Sequence, residues 1–212
     1  LFSLSCSQAE VLFLPEYRQN EKILCSDAEI IANPYILYEQ TRKCVAEYQI
    51  AVKTVDMAVF PRKDIQRRYP LQAPTALSSD NDERRIRAYA TALLEYQAVC
   101  GHTVYPMNNL ILDMNELPID PACSVSGDIL TSIQHFLGNE IEFLSMKSGE
   151  KAFQLVRLRE IDDVIRSAVS KRVNTKKRHE VDENWTAIVN KAFGEINKDD
   201  IDEATARKEK AA

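Results

Sequence analysis

The fold prediction starts from residues 83–115, which read ERRIRAYATALLEYQAVCGHTVYPMNNLILDMN. Between Ile86 and Cys100, apolar residues recur at the spacing of one helix face. Gly101 is expected to end this helix, because glycine readily adopts the left-handed conformation that follows many helix C-termini. A short strand-like stretch comes next, and Pro106 then opens a second apolar-faced helix. The stretch therefore predicts a helix, a short strand and a helix in succession.

The sequence after this stretch predicts a third helix and a β-hairpin. Residues 128–137 have helical apolar spacing, while residues 141–143 and 153–155 alternate as two strands around a turn at 147–150. The order helix, strand, helix, helix, hairpin is typical of a winged helix, whose third helix often lies in the DNA major groove. Here the third helix has no Lys or Arg and begins with Asp128, so we do not expect it to read bases.

The N-terminal region predicts short helices joined by a tight corner. Ser26 and Glu29 form a capping box at the start of one helix. Asn33 and Pro34 end that helix and start the next, with Asn33 as the expected N-cap. Such a corner is similar to a helix-hairpin-helix, in which backbone amides hold a DNA phosphate. The corner has no glycine to allow that close approach, so a purely structural corner is an equal alternative.

These patterns predict a fold that is mainly α with a small β-hairpin. Ile50 and Val52 alternate like one further short strand. The expected organisation has four parts: a helix-hairpin-helix-like region at 1–70, a proline-containing linker at 71–81, a winged-helix-like module with a following long helix at 82–172, and a basic-then-acidic helical connector at 173–212.

Composition argues against several kinds of site. The chain has 212 residues, and its 5 glycines lie too far apart to form a phosphate-binding loop. The 5 cysteines include no Cys-x-x-Cys pair, and the 3 histidines lack metal-ligand spacing. We therefore expect no catalytic residues, cofactor or metal in this chain. Its cysteine usage favours reduced thiols and a cytoplasmic location, and its short apolar runs favour no membrane span.

The formal net charge is −5, but the positive residues are clustered. One cluster follows Pro61, a second begins at Arg84, and a third places five basic residues and no acid within 171–178. Because phosphate contacts need cations but no particular base, these clusters are candidate DNA-binding sites. The candidate residues are Arg62, Lys63, Arg67, Arg68, Arg84, Arg85, Arg87, Lys171, Arg172, Lys176, Lys177 and Arg178.

Four segments follow one another along the chain: NPYILYE at 33–39, TVDMAVFP at 54–61, RRIRA at 84–88 and GHTVYP at 101–106. In sequence and order they resemble the N-terminal region of RecD-like ATP-dependent DNA helicases, relatives of the exodeoxyribonuclease V alpha chain. The N-P-Y-x-L and G-H-T-x-x-P pieces are the most specific. The resemblance covers roughly residues 5–172.

The resemblance implies an accessory region of a superfamily 1 motor that moves 5′ to 3′ along single-stranded DNA. The family's nucleotide-binding and translocation motifs lie downstream of the matching region, so ATP and magnesium are expected on a following motor domain. We therefore expect this chain to be a piece that stops just before the ATP-binding motif. The implied partners are single-stranded or junction DNA, bound weakly and without sequence preference, the motor itself, and a nuclease or recombination protein that acts in repair or recombination.

Two other functions are compatible with the sequence. The chain could act purely as a protein-interaction module that docks a nuclease or recombination partner. It could also be a winged-helix DNA-binding regulator, although its third helix lacks the basic residues that such a regulator needs.

Overall fold

The computed structural model describes residues 3–175, 184, 185, 187 and 188. Its contacts divide the chain into two compact units, Leu1–Arg166 and Ser167–Ala212. The described part is mainly helical and contains a small three-stranded antiparallel sheet, in agreement with the predicted fold class.

The N-terminal part of the first unit is built from short helices. They are α1 (Cys6–Phe13), α2 (Pro15–Asn20), α3 (Asp27–Ala32), α4 (Ile36–Thr41), a 3₁₀ turn (Ala46–Tyr48), α5 (Val52–Val59) and α6 (Lys63–Arg68). The predicted capping box is present: the Glu29 amide donates to Ser26 Oγ at 3.2 Å, and the Ser26 amide donates to Glu29 Oε2 at 2.7 Å. These bonds satisfy backbone donors that would otherwise be free at the start of α3.

The remaining elements begin with the longest helix of the first unit. They are α7 (Glu83–Val99), β1 (Tyr105–Pro106), α8 (Met107–Asn115), α9 (Gly127–Ser132), α10 (Gln134–Leu137), β2 (Ile141–Ser145), β3 (Lys151–Leu155) and α11 (Val156–Asn174). Gly101 has a φ of +93°, as expected for the glycine that ends α7.

The sheet has the strand order β1-β3-β2, with β3 in the middle. The predicted hairpin between β2 and β3 is confirmed, and Gly149 in its turn has a φ of +84°. Phe153 of β3 pairs with Tyr105 on one side and Phe143 on the other. The Phe143 and Phe153 rings meet edge to face, with centroids 4.5 Å apart. This central position makes Phe153 a main contact between the sheet and the core.

Two apolar clusters form the interior of the first unit. One lies among α7–α10 and the sheet, and the other among α1, α4 and α5. Helix α7 contributes to both, because Ile86 and Leu94 belong to the first cluster and Ala88 to the second. Every residue of α7 from 85 to 91 is buried, so this part of the helix is enclosed from several sides and joins the two clusters.

Two local predictions from the sequence are wrong. The third helix is two helices, because the hydroxyls of Thr131 and Ser132 donate to the carbonyls of Gly127 and Ile129 and compete with the regular ladder. The alternation at Ile50 marks no strand: its amide donates to Thr41 Oγ1 at 3.0 Å, and α5 begins at Val52.

Residues 71–81, the predicted linker, are hydrogen-bonded to neighbouring helices. Thr75 Oγ1 donates to the Ile31 carbonyl at 2.8 Å, and Arg84 Nη1 donates to the Pro74 carbonyl at 3.0 Å. These bonds hold the segment against the end of α3 and the start of α7.

In the second unit, the described residues are 167–175, which include the last turns of α11, and 184, 185, 187 and 188. Residues 185, 187 and 188 are helical, and the Ala187 amide donates to Asn184 Oδ1 at 3.1 Å. In the described part of the chain, no helix has the length and apolar character needed to cross a membrane.

We expect Phe153→Ala to lower the free energy of unfolding by about 3–5 kcal/mol, because it removes a buried ring and leaves a cavity. Val99→Ala is a suitable control, since Val99 is 87% exposed at the end of α7. Urea denaturation followed by circular dichroism measures both variants. Equal stability of the two variants would contradict the central role of Phe153.

Candidate nucleic-acid interface

The structure describes nine of the twelve predicted DNA-binding residues, and these nine differ in exposure. Four lie on or next to α6 and are exposed, three lie at the start of α7 and are mostly buried, and two lie in the last turn of α11. Lys176, Lys177 and Arg178 fall outside the described residues.

Helix α6 presents its basic residues to solvent. Pro61 precedes it, and Arg67 and Arg68 lie in its last turn, where cations interact favourably with the helix dipole. Arg62 and Lys63 are exposed at its start. The one ion pair that the structure gives these four residues is Arg62 with Asp64, at 3.7 Å with side chains 81% and 71% exposed. An exposed pair of this kind contributes little, so these cations are free to contact phosphate.

A tyrosine follows this basic helix directly. The Arg68 guanidinium carbon lies 5.6 Å from the centroid of the Tyr69 ring, and Tyr69 is 60% exposed. Single-stranded nucleic acids bind sites of this kind, in which a cation contacts a phosphate and an exposed aromatic ring stacks on a base.

Arg85 is fully buried and belongs to an interior network. Its Nε and Nη2 donate to the two oxygens of Asp56, each at 2.8 Å, which makes a bidentate pair. Its remaining donors reach the carbonyls of Asp80 and Pro121 at 2.9 and 2.7 Å. The Tyr35 hydroxyl donates to the same Asp56 carboxylate at 2.6 Å. Burial raises the pKa of that hydroxyl, and the charge of Asp56 raises it further.

Arg87 repeats this arrangement two residues further along α7. Its Nε and Nη2 donate to the two oxygens of Glu39, each at 2.7 Å, and its Nη1 donates to the Phe136 carbonyl at 3.2 Å. The guanidinium also lies over the Phe136 ring, 4.3 Å from its centroid. This pair therefore joins α7 to α4 and to α10.

Arg84 is also used inside the molecule. It donates to both oxygens of Asp82 and to the carbonyls of Ala32, Pro74 and Ala76, at distances between 2.6 and 3.0 Å. Burial acts to raise the pKa of Asp82, but the hydrogen bonds from Arg84 and from the Ser78 and Arg84 amides lower it to about 2.

The prediction that Arg84, Arg85 and Arg87 bind DNA is therefore not supported. Their donors are occupied by carboxylates and carbonyls, and releasing them would leave buried carboxylates without a cation. The sequence does contain a signal that these arginines are partners of buried carboxylates. Asp56 and Glu39 lie within apolar helix segments, where a carboxylate must find a buried cation.

A second ionic cluster was not predicted. Arg42 pairs with both Glu95 and Glu140, and Arg157 Nε donates to Glu95 at 2.9 Å. Lys43 lies 3.7 Å from Glu140. The cluster joins α4, α7, β2 and the first turn of α11, so its function is architectural.

The described residues contain no group of three or more His, Cys, Asp or Glu side chains that could hold a metal ion. In the second unit, Lys171 and Arg172 are exposed in the last turn of α11. Of the predicted candidates, the structure therefore leaves the residues of α6 and the end of α11 accessible to a phosphate.

We expect Arg85→Ala to lower the free energy of unfolding by about 3–5 kcal/mol, because it leaves Asp56 as a buried carboxylate without its cation. Arg67→Ala makes the same substitution at an exposed site of α6 and should change stability by less than about 0.5 kcal/mol. Denaturant unfolding compares the two. If both cost the same, the Asp56 pair is not structural.

We also expect the stability contributed by Asp82 to depend on pH. Its pKa is lower in the folded chain than the usual value of about 3.9, so the contribution is present above about pH 5 and is lost as pH falls toward 2. Relative to Asp82→Asn, the free energy of unfolding of the wild type should be higher by about 2 kcal/mol at pH 6 and by about half of that at pH 3.

Urea titrations at a series of pH values measure this difference. Leu112→Ala, at a 59% exposed uncharged residue, provides the pH-independent comparison. A difference for Asp82→Asn that stays constant between pH 6 and pH 3 would contradict the lowered pKa.

Comparison with known proteins gives no function for the exposed basic residues. No family model matches the chain, and no curated protein or solved structure matches it either. The function is therefore inferred from the side chains that the fold exposes and from those that it buries.

Proposed function

We propose that this chain is a DNA-positioning accessory region of a RecD-like superfamily 1 helicase. The observation that carries the proposal is the exposed basic group on and beside α6. Arg62, Lys63, Arg67 and Arg68 lie within seven residues and are exposed, whereas the three arginines at the start of α7 are bonded internally. A short cationic helix whose one described ion pair, Arg62 with Asp64, is long and exposed fits a polyanion better than it fits a structural role.

The segments that carry the family resemblance support this proposal through their packing. Tyr35 from NPYILYE, Asp56 from TVDMAVFP and Arg85 from RRIRA are members of one buried hydrogen-bond network. The three motifs therefore contribute to the architecture that presents α6, and not to DNA contact themselves.

We infer a winged-helix-like module within residues 82–172. It is supported by the element order from α7 to β3 and by the antiparallel order β1-β3-β2. The part of this module that would read bases is α9 with α10, whose described surface carries Asp128, Gln134 and His135 and no Lys or Arg. We therefore assign the module to bracing and not to base reading.

We infer that the helix-hairpin-helix-like corner between α3 and α4 is also structural. The Asn33 amide donates to the Glu29 carbonyl at 2.8 Å, Pro34 has no amide hydrogen, and the Tyr35 amide donates to the Asn33 side chain at 3.2 Å. A corner whose groups are bonded internally has no backbone amides to spare for a phosphate.

DNA binding by α6 is expected to be weak and independent of sequence. Lysine and arginine contacts to phosphate carry no base information and release counterions. The overall charge of −5 opposes association with DNA. We expect a dissociation constant of roughly 10⁻⁴ to 10⁻⁶ M at physiological salt. In this proposal the chain is cytoplasmic, and ATP and magnesium belong to the motor that it serves.

A second candidate function is docking of a nuclease or recombination protein. The observation that favours it is the exposure of apolar side chains on α11: Ile161, Val164 and Ile165 are 51%, 70% and 55% exposed. In the second unit, Val169 and Val173 of the same helix are also exposed. The affinity of an apolar interface changes little with salt concentration, whereas phosphate binding weakens steeply, so the salt dependence separates the two functions.

We expect the double charge reversal Arg67→Glu and Arg68→Glu to weaken binding equally for all DNA sequences and to flatten the salt dependence. The slope of log K against log salt should fall by about 1–1.5, since each phosphate contact to a single strand contributes about 0.7. Fluorescence anisotropy with labelled oligonucleotides at several salt concentrations measures both quantities.

The matched control is Lys22→Glu with Lys53→Glu, which changes the net charge equally at two exposed lysines away from α6. A separate variant with Glu at 176, 177 and 178 tests the cluster outside the described residues. If neither basic cluster affects DNA binding more than the control does, the docking function becomes the better proposal.

A further inference from the structure

We propose that a cavity beside α6 holds one unstacked base of single-stranded DNA, with Tyr69 as its stacking partner. This inference rests on the proposed DNA binding by α6 and identifies the form of DNA that the site selects. The site would include two uncharged residues, Tyr69 and Gln66, in addition to the basic residues of α6.

The cavity has the size and walls that a base requires. Its volume is about 160 Å³, and most of the residues that line it are apolar, among them Phe60, Pro61, Pro70 and Leu71, while polar and apolar atoms contribute about equally to its wall. A cavity of about 150 Å³ accommodates benzene, so a pyrimidine-sized ring fits this one. Tyr69 lines it as well and is 60% exposed, so its ring is accessible to an entering base.

One polar side chain could make contact with the edge of the base. Gln66 lines the same cavity, and its amide can donate and accept hydrogen bonds at once. A cavity that combines apolar side chains with placed polar groups is the usual form of a small-ligand site. One amide does not distinguish among the bases strongly, which agrees with weak sequence preference.

The charges around the cavity determine where the backbone would lie. An adjoining cavity shares Phe60, Pro61 and Gln66 and is lined by Arg62 and Lys63, but also by Asp80 and Asp120. These two carboxylates offset the two cations. The excess positive charge is therefore at the other end of α6, at Arg67 and Arg68, next to Tyr69.

This arrangement selects single-stranded over double-stranded DNA. A base within a duplex is stacked and paired, so it cannot enter a cavity without the cost of unpairing. A single strand offers unstacked bases, and each base that stacks on an aromatic side chain gains affinity without regard to sequence. The charge complementarity of α6 favours a nucleic-acid strand over an apolar peptide side chain as the occupant.

The test is Tyr69→Ala, measured with an oligo-dT strand and with a duplex of equal length. We expect affinity for the single strand to fall about fivefold or more, while affinity for the duplex stays within about twofold. Tyr69→Trp should retain the preference, and quenching of its indole fluorescence by the bound strand should report stacking. The control is Tyr96→Ala, which removes a 64% exposed tyrosine from α7.

A second variant, Ala76→Leu, fills the cavity from another of its walls and leaves Tyr69 in place. It should lower single-strand affinity in the same way. If both variants leave the ratio of single-strand to duplex affinity unchanged, the cavity does not hold a base. An equal loss for both DNA forms would likewise overturn the inference, since Tyr69 would then act only through Arg68.

These outcomes are separable from failure of the proposed function. If reversal of Arg67 and Arg68 weakens DNA binding while the cavity variants do not alter the ratio, α6 binds phosphate and only the base site is overturned. If that charge reversal changes nothing, the proposed function itself fails at α6, and the base site fails with it.

Discussion

The Asp56 carboxylate is buried among α5, α7 and the segment that leads into α4, and the rest of the first unit is arranged around it. A carboxylate taken out of water needs a cation and further donors, or its burial costs several kcal/mol. Arg85 supplies the cation through two bonds of 2.8 Å, and Tyr35 supplies a third donor at 2.6 Å. The same guanidinium also reaches the Pro121 carbonyl at 2.7 Å, so this ion pair fixes the loop after α8 as well.

The fold thereby divides its arginines between two uses. Arginines that lie beside buried carboxylates bond in fixed bidentate geometry, which suits the planar guanidinium. Among the described residues, the cations on and beside α6 have one acidic partner, Asp64, which lies 3.7 Å from Arg62, so they remain accessible to a ligand. Basic clusters that look alike in sequence therefore differ in exposure and pairing, because the fold brings buried carboxylates to one and not to the other.

The sequence was sufficient for elements that depend on local patterning. Apolar periodicity located α7 and the β2–β3 hairpin, and residue chemistry located the capping box at Ser26. It was insufficient where partners are distant in sequence: Arg85 and Asp56 are 29 positions apart, and Arg87 and Glu39 are 48 apart. Pairs at such separation are created by tertiary packing, so a basic run such as 84–87 was interpreted as a surface.

The same long-range contacts explain why the candidate base site was not visible in the sequence. Residues 69–71, 76 and 77 form part of the cavity wall, whereas composition alone predicts a linker at 71–81. Thr75 bonds to the Ile31 carbonyl, and Arg84 bonds to the carbonyls of Pro74 and Ala76, which holds this segment in place. Arg84 is in turn oriented by Asp82, at 2.8 Å. An arginine that does not contact DNA thus positions the wall of the cavity beside the arginines that are proposed to bind it.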